Sequence, residues 1–449
     1  MKKLSKSQFL QVSIMLFGLF FGAGNLIFPP LLGAGAADKT LIALLAFAIT
    51  AVLFPVMGAI VVSKTEGLNN LSSRVGPSFA IVFTTAIYLS IGPGLGIPRA
   101  GSVPFEMAIA PYISETSNLV LLRGLYTLVF FAIALAIALK PSKLAQRVGK
   151  YLTPALLLLI LIMFIKISLM PKDIGEAIGA YKTSPITEGF IQGYNTMDAV
   201  AALNFGFVIS LTIRRFGIKD KKDVTNYTIK SGLLAGSVLF IVYALLASIG
   251  MFTSLHSQSA NNGAEILANA TRAGFGRLGL ILLIAIFTLA CLTTCVGLIS
   301  SGGEYFSSLF NHKLSYRAWV YIWTIFSFIM ANFGLNTLLE FSVPLLSAIY
   351  PVALLLIVMG MTHELIDYPS LAYKLSAYTA VILPILTVLT TSFGLNLGFV
   401  TDLLQGLPLY DQGLHWLLPS LIVLILSSFG GKLLKTRGKS LRQVEVKSR

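Results

Sequence analysis

Apolar residues run along this chain in long uncharged blocks rather than in strict alternation. Leu41–Val62, Ser231–Leu255, Leu278–Gly303 and Leu375–Thr401 each exceed 20 residues without a charge. About 20 apolar residues suffice for a helix to cross a hydrocarbon core about 30 Å thick. Twelve segments satisfy this expectation, at 8–37, 39–63, 77–98, 118–139, 145–170, 188–213, 229–254, 276–303, 316–334, 337–361, 374–396 and 413–431. The piece 99–117 continues span three or forms a helix outside the membrane.

Two of the twelve carry residues that suit an unbroken helix poorly. Phe17–Pro30 reads F-G-L-F-F-G-A-G-N-L-I-F-P-P, and Gly193–Gly206 reads G-Y-N-T-M-D-A-V-A-A-L-N-F-G. Unwinding a helix in lipid costs several kcal/mol per unsatisfied backbone group, so it persists only where those groups face a cavity or ligand. The pattern predicts a half-helix beginning near Asn25, with Pro29 and Pro30 in its first turn, where a missing N–H is harmless. Its positive end would point at the gap, and the N–H groups of Ala23 and Gly24 could hold a carboxylate. Spans one and six head two possible five-span units. Five is odd, so the second copy must lie upside down in the membrane, and paired interrupted helices at matching positions point to a transporter binding site.

Composition places the chain in lipid: 56% of its 449 residues are hydrophobic and 11% charged, with a mean hydropathy of +0.83. The net charge of +15 marks topology, not nucleic acid. Of the 33 basic residues, 25 fall in the N-terminal tail and every second loop from there, which predicts both termini in the cytoplasm, beside anionic lipid. The four histidines are scattered near loops, so neither a catalytic triad nor a histidine metal centre is indicated. Cys291 and Cys295 share one helix and read as small packing residues.

Three further sets of residues bear chemistry. In span eight, the Ala290 carbonyl and the Thr293 and Thr294 hydroxyls fall at i, i+3 and i+4, which puts three oxygens on one helix face. Carbonyls of Gly18 and Phe21 could complete a shell for a small hard cation. The ordinary role of such threonines is to bond back one turn. Asp198 is an acid near mid-membrane, which costs roughly 2.5–3.5 kcal/mol on insertion scales. It can meet an ammonium, join a cation site, carry a proton or face a watery vestibule. Arg99 and Glu106, at the outer end of span three, are expected to form a local ion pair, with a role in an outer gate as the alternative.

The motifs of spans one and six resemble those of the bacterial branched-chain amino acid:cation symporters (BrnQ type), within the amino acid–polyamine–cation superfamily, over essentially the whole chain. The resemblance implies an all-α polytopic protein of about 12 transmembrane helices, a LeuT-like 5+5 inverted repeat with helices one and six broken. On that plan residues 1–449 are one integral membrane domain. Residues 8–170 form the first repeat, 188–361 the inverted second, 374–431 two additional helices and 432–449 a basic cytoplasmic tail. The implied activity is symport of leucine, isoleucine and valine with Na+ or H+ by alternating access in the bacterial cytoplasmic membrane, without an enzymatic step and with no cofactor besides the coupling ion. Position by position, Gly18, Gly22, Gly24 and Asn25 match the span-one pattern. Ala290, Thr293 and Thr294 match the span-eight sodium pattern, with Thr in place of Ser. The match at Asn195, Thr196, Met197 and Asp198 is looser, because an acid replaces a hydroxyl. Ala23 and Gly24 would then hold the substrate carboxylate, and Phe20, Asn195, Thr196 and Asp198 the ammonium. Gly18, Phe21, Ala290, Thr293 and Thr294 would hold Na+. A proton-coupled permease for another neutral amino acid is the alternative within transport. An ion channel finds no support, since no T-V-G-Y-G filter is present.

Overall fold

A computed structural model describes residues 3–113, 118–257 and 260–430; the expected basic tail, 432–449, lies outside the described residues. Each of the twelve expected segments is helical. Span one is α1 (Lys6–Phe20) followed by α2 (Ala23–Ala36). Span two is α3 (Thr40–Ala48), a wide turn at Ile49–Leu53, and α4 (Phe54–Lys64). Span three is α5 (Pro77–Leu89), a wide turn at Ser90–Gly94, and α6 (Gly96–Ala108). Spans four and five are α7 (Leu119–Ala138) and α8 (Thr153–Ser168). Span six is α9 (Pro185–Tyr194) and α10 (Asp198–Arg215), and span seven is α11 (Lys221–Phe252). After the short α12 (Gly263–Phe275) come α13 (Arg277–Leu309), α14 (Tyr316–Ala331), α15 (Leu335–Ile366), α16 (Ser370–Thr391) and α17 (Leu417–Gly430). Among the described residues, eight helices, counting α2–α4 as one run, are long and apolar enough to cross a membrane, and the bent pair α9/α10 raises that to nine. The protein is therefore a multi-pass membrane protein, with no strand among the described residues.

Local chemistry starts the helices where the apolar blocks begin. Ser5 and Gln8 form a reciprocal capping box ahead of α1, and Asp220 accepts the Asp223 N–H at 3.0 Å ahead of α11. Just beyond α4, Glu66 pairs at 2.8 Å with Lys221, the first residue of α11, which holds its carboxyl below the usual carboxylate range.

The chain divides into two compact units. One comprises Gly67–Ile87 and Val343–Arg449. In it the Arg74 guanidinium donates to the Tyr373 hydroxyl at 2.8 Å, and Thr387 and His415 lie 2.9 Å apart. The other, Met1–Glu66 with Tyr88–Ser342, contains every residue of the candidate site. Its packing is reciprocal: the span-one halves α1 and α2 lie along α11 of span seven, and the span-six halves α9 and α10 lie along α3 and α4 of span two. Each broken helix thus leans on the second helix of the opposite half, as two inverted units require.

Glycines make both contacts close, since lipid supplies no hydrophobic drive and helices associate by tight packing. A Cβ at Gly250 would come within 2.0 Å of the Pro30 carbonyl oxygen, and one at Gly193 within 2.4 Å of that of Phe47. Gly250→Ala should therefore force α2 from α11 and lower stability by about 1–3 kcal/mol, the usual cost of overpacking. Gly76→Ala meets nothing within 4 Å and should be silent. Thermal unfolding in detergent compares the two; equal midpoints would contradict the close contact.

Candidate functional site

Span one breaks over two residues. Phe21 leaves helical geometry (φ −81°, ψ 88°), Gly22 is extended (φ −108°, ψ −160°), and α2 starts at Ala23. Asn25 makes this restart possible: its Oδ1 accepts the Gly22 N–H at 2.7 Å and caps its own first turn from the third position. The half-helix begins two residues earlier than expected, and Pro29 and Pro30 fall in its interior rather than its first turn. The Asn25 cap removes the need for a proline start. The first N–H groups of α2, at Ala23 and Gly24, have no intrahelical partner and carry the positive end of its dipole.

Span six breaks over three residues. Asn195 ends α9, Met197 takes the left-handed conformation (φ 57°, ψ 20°), and α10 starts at Asp198, bent 48° from α9. The Thr196 hydroxyl donates to the Gly193 carbonyl at 2.8 Å, while the Asn195 side chain is exposed and stands apart from the cluster. An acid in the first turn of α10 faces that helix's own positive end.

The two breaks meet. Asn25 Nδ2 donates to Asp198 Oδ2 at 2.5 Å and also to the Tyr243 hydroxyl, which donates to Asp198 Oδ2 at 3.4 Å. With its amide oxygen on Gly22, Asn25 is saturated and fixed in orientation. Spans one, six and seven are tied by one asparagine that is 1% exposed. Aromatic rings surround the break: Phe20 tilts against Phe205 with centroids 6.1 Å apart, and Phe21 stacks on Phe17 at 5.2 Å.

Oxygens also gather where span eight passes span one. The Thr294 hydroxyl donates to the Leu19 carbonyl at 3.1 Å, and a Cβ at Gly22 would lie 3.2 Å from it. The Thr293 hydroxyl bonds back to the Ala290 carbonyl at 2.9 Å, and both residues are fully buried. Thr153 of span five presents its hydroxyl at the position a Cβ of Gly18 would take, 2.2 Å away, and that buried oxygen has no hydrogen-bond partner. Thr294 thus meets span one at the Leu19 carbonyl beside Gly22, Thr293 bonds back to Ala290 within its own helix, and Gly18 faces Thr153 of span five. Among the described residues no group of three or more His, Cys, Asp or Glu gathers to hold a metal. Cys291 and Cys295 are free and buried.

Two residues of this region were not assigned to it from the sequence. Tyr243 is a single hydroxyl inside an apolar span, a faint signal. The sequence suggests Glu106 as the partner of Arg99, since both lie at one helix end, but Glu106 instead binds Arg123 of α7 at 2.7 Å. A tertiary neighbour displaces the sequence neighbour, because 99 and 106 lie about two turns apart on α6.

A family profile described as "Branched-chain amino acid transport protein" matches residues 5–434. The chain is 37% identical to the branched-chain amino acid permease BrnQ of Lactobacillus delbrueckii subsp. lactis, covering 97% of this chain and 99% of that one. It is 38% identical to the branched-chain amino acid permease BraB of Bacillus subtilis, over 92% of both chains. Among solved structures it is similar to a manganese transporter of Eremococcus coleocola (TM-score 0.54, 14% identity, 94% of both chains). It is also similar to MhsT in complex with L-phenylalanine (TM-score 0.52, 14% identity, 93% of this chain and 97% of that one). At such identities the likeness is one of fold: LeuT-like, with helices one and six broken.

Proposed function

The chain belongs to the branched-chain amino acid transport protein family, and on that premise we propose that it imports leucine, isoleucine and valine with Na+ by alternating access. The observation that carries this reading is the junction of the two helix breaks through Asn25 and Asp198. In our reading the substrate carboxylate lies on the N–H groups of Ala23 and Gly24. The carbonyls of Phe20, Asn195 and Thr196, with the Asp198 carboxylate, receive the ammonium. An apolar pocket separates side chains differing by one methylene by only about 1–3 kcal/mol, so all three amino acids are accepted. The protein sits in the bacterial cytoplasmic membrane with both termini inside, following its basic loops.

Carbonyl oxygens of Gly18, Phe21 and Ala290 and the hydroxyls of Thr293 and Thr294 form the sodium site. Both hydroxyls donate to carbonyls, and turning them presents their lone pairs to the ion. The ion ties span one to span eight and so favours one state of the cycle through differential affinity. Sodium then raises leucine affinity, and leucine raises sodium affinity by the same factor. Equilibrium binding to the purified protein tests this reciprocity. Thr294→Ala should raise the sodium concentration for half-maximal leucine binding about 10- to 100-fold, the scale of one contact to a charge. Thr294→Ser should be nearly silent. If Ala and Ser behave alike, the site is wrong. Proton coupling is the second reading, favoured by the hydrogen-bonded acid Asp198 at the break, and sodium-indifferent binding would select it.

A further inference from the structure

Arg99 is an arginine within a span, a costly placement that marks a functional residue by default. Its position results from a third break. Span three interrupts its helix at Ser90–Gly94, where Gly92 is non-helical (ψ −119°), and resumes at Gly96, which puts Arg99 in the first turn of α6. Helix α6 packs along α13 and touches α2. The guanidinium comes to the start of α2: a Cβ built on Gly24 would lie 3.7 Å from Arg99 Nη2. Its side chain has no carboxylate within ion-pair distance among the described residues, because Arg123 holds Glu106. Asp198 is near enough for the two charges to attract, yet no direct bond joins them.

We propose that Arg99 recognises the substrate carboxylate and makes the site specific for zwitterionic α-amino acids. This rests on the transport reading above and adds the residue that sets its substrate class. The guanidinium fork matches a carboxylate with two parallel N–H donors, which a lysine ammonium cannot reproduce. The free N–H groups of Ala23 and Gly24 approach from the helix side and Arg99 from span three, so the carboxylate is held between fixed donors. Asp198 takes the ammonium. One positive and one negative group then face a substrate carrying one of each, and the occupied site remains electroneutral in a medium of low dielectric. A Cβ at 24 would sit in ordinary contact with the guanidinium, so a branched side chain such as valine, reaching past it, would crowd the guanidinium.

The test uses the purified full chain in proteoliposomes and two ligands, leucine and leucinol, the latter lacking only the carboxylate. The parent should bind leucine at least about 100-fold more tightly, since a site built to bond a polar group rejects the analogue without it. In Arg99→Gln, leucine affinity should fall about 10- to 100-fold, the loss of a charged hydrogen-bonded contact. Leucinol affinity should stay within about threefold, because its neutral hydroxymethyl offers the guanidinium no charge and no second oxygen for a paired bond. Arg99→Lys keeps the charge without the fork and should lie between, and it carries the test if the glutamine variant does not fold. An unchanged leucine-to-leucinol ratio in Arg99→Gln, or an equal loss for both ligands, overturns the proposal and leaves Arg99 as a counter-charge to Asp198. Gly24→Val separates the two levels. If it abolishes leucine binding while Arg99→Gln keeps the ratio, the break remains the site and Arg99 is excluded. A parent protein that binds no leucine overturns both readings.

Discussion

Asp198→Asn should abolish leucine accumulation while the protein still folds and inserts. The substitution keeps the shape but removes the charge that receives the ammonium, and its carbonyl oxygen in the Oδ2 place gives Asn25 and Tyr243 a neutral acceptor instead of a charged one. Hydrogen bonds to charged groups are worth about 1.5–3 kcal/mol, so losing the ammonium contact while the Asn25 bond weakens predicts about a 100-fold fall in initial uptake. Exchange of internal for external leucine should fall as well. If exchange persists while only accumulation is lost, Asp198 carries a coupling proton instead. Unchanged transport in both modes removes Asp198 from the site.

Asn25→Ala should cost the most stability of any single change at the break. The side chain caps α2 through the Gly22 N–H, and losing such a cap costs about 0.5–2 kcal/mol. It also takes the short Asn25 bond from Asp198, which keeps only Thr196 and the longer 3.4 Å contact to Tyr243, in a setting where a stranded polar group costs about 1–3 kcal/mol. The sum is about 2–5 kcal/mol, and leucine binding should be lost at temperatures where the protein still folds. Tyr243→Phe removes the weak 3.4 Å bond to Asp198 and the acceptor of one Asn25 N–H but leaves the α2 cap intact, so it should be milder. Comparable losses in the two variants would show that Asn25 does not organise the cluster.

Much of the fold is legible in the sequence because the bilayer demands it. All twelve apolar blocks are helical, eight or nine of the helices among the described residues being long and apolar enough to cross a membrane, and glycine, asparagine and aspartate in two blocks locate both breaks. The third break was missed for a physical reason. Ile91–Gly96 reads I-G-P-G-L-G, which looks like the end of a span, yet the helix resumes at Gly96 and runs to Ala108. The start of α2 was misplaced because prolines signal a first turn, whereas an asparagine reaching back three residues supplied the cap. At the site, Asn25 and Asp198 stand out as polar residues in apolar surroundings. Their meeting does not, since it depends on spans one and six leaning across each other. The pairing of Glu106 with Arg123, which releases Arg99 toward Gly24, is likewise a matter of tertiary neighbours. Asn195 lies in the broken stretch by sequence, but its side chain is exposed.

Labelled leucine uptake into proteoliposomes under imposed gradients tests the account most directly. With an inward sodium gradient and no proton gradient, leucine should accumulate inside above its external concentration and then leak back as the sodium gradient dissipates. With a proton gradient alone it should only equilibrate. Accumulation driven by protons and indifferent to sodium would contradict the sodium site, and non-saturating passive flux under either gradient would contradict coupled transport itself.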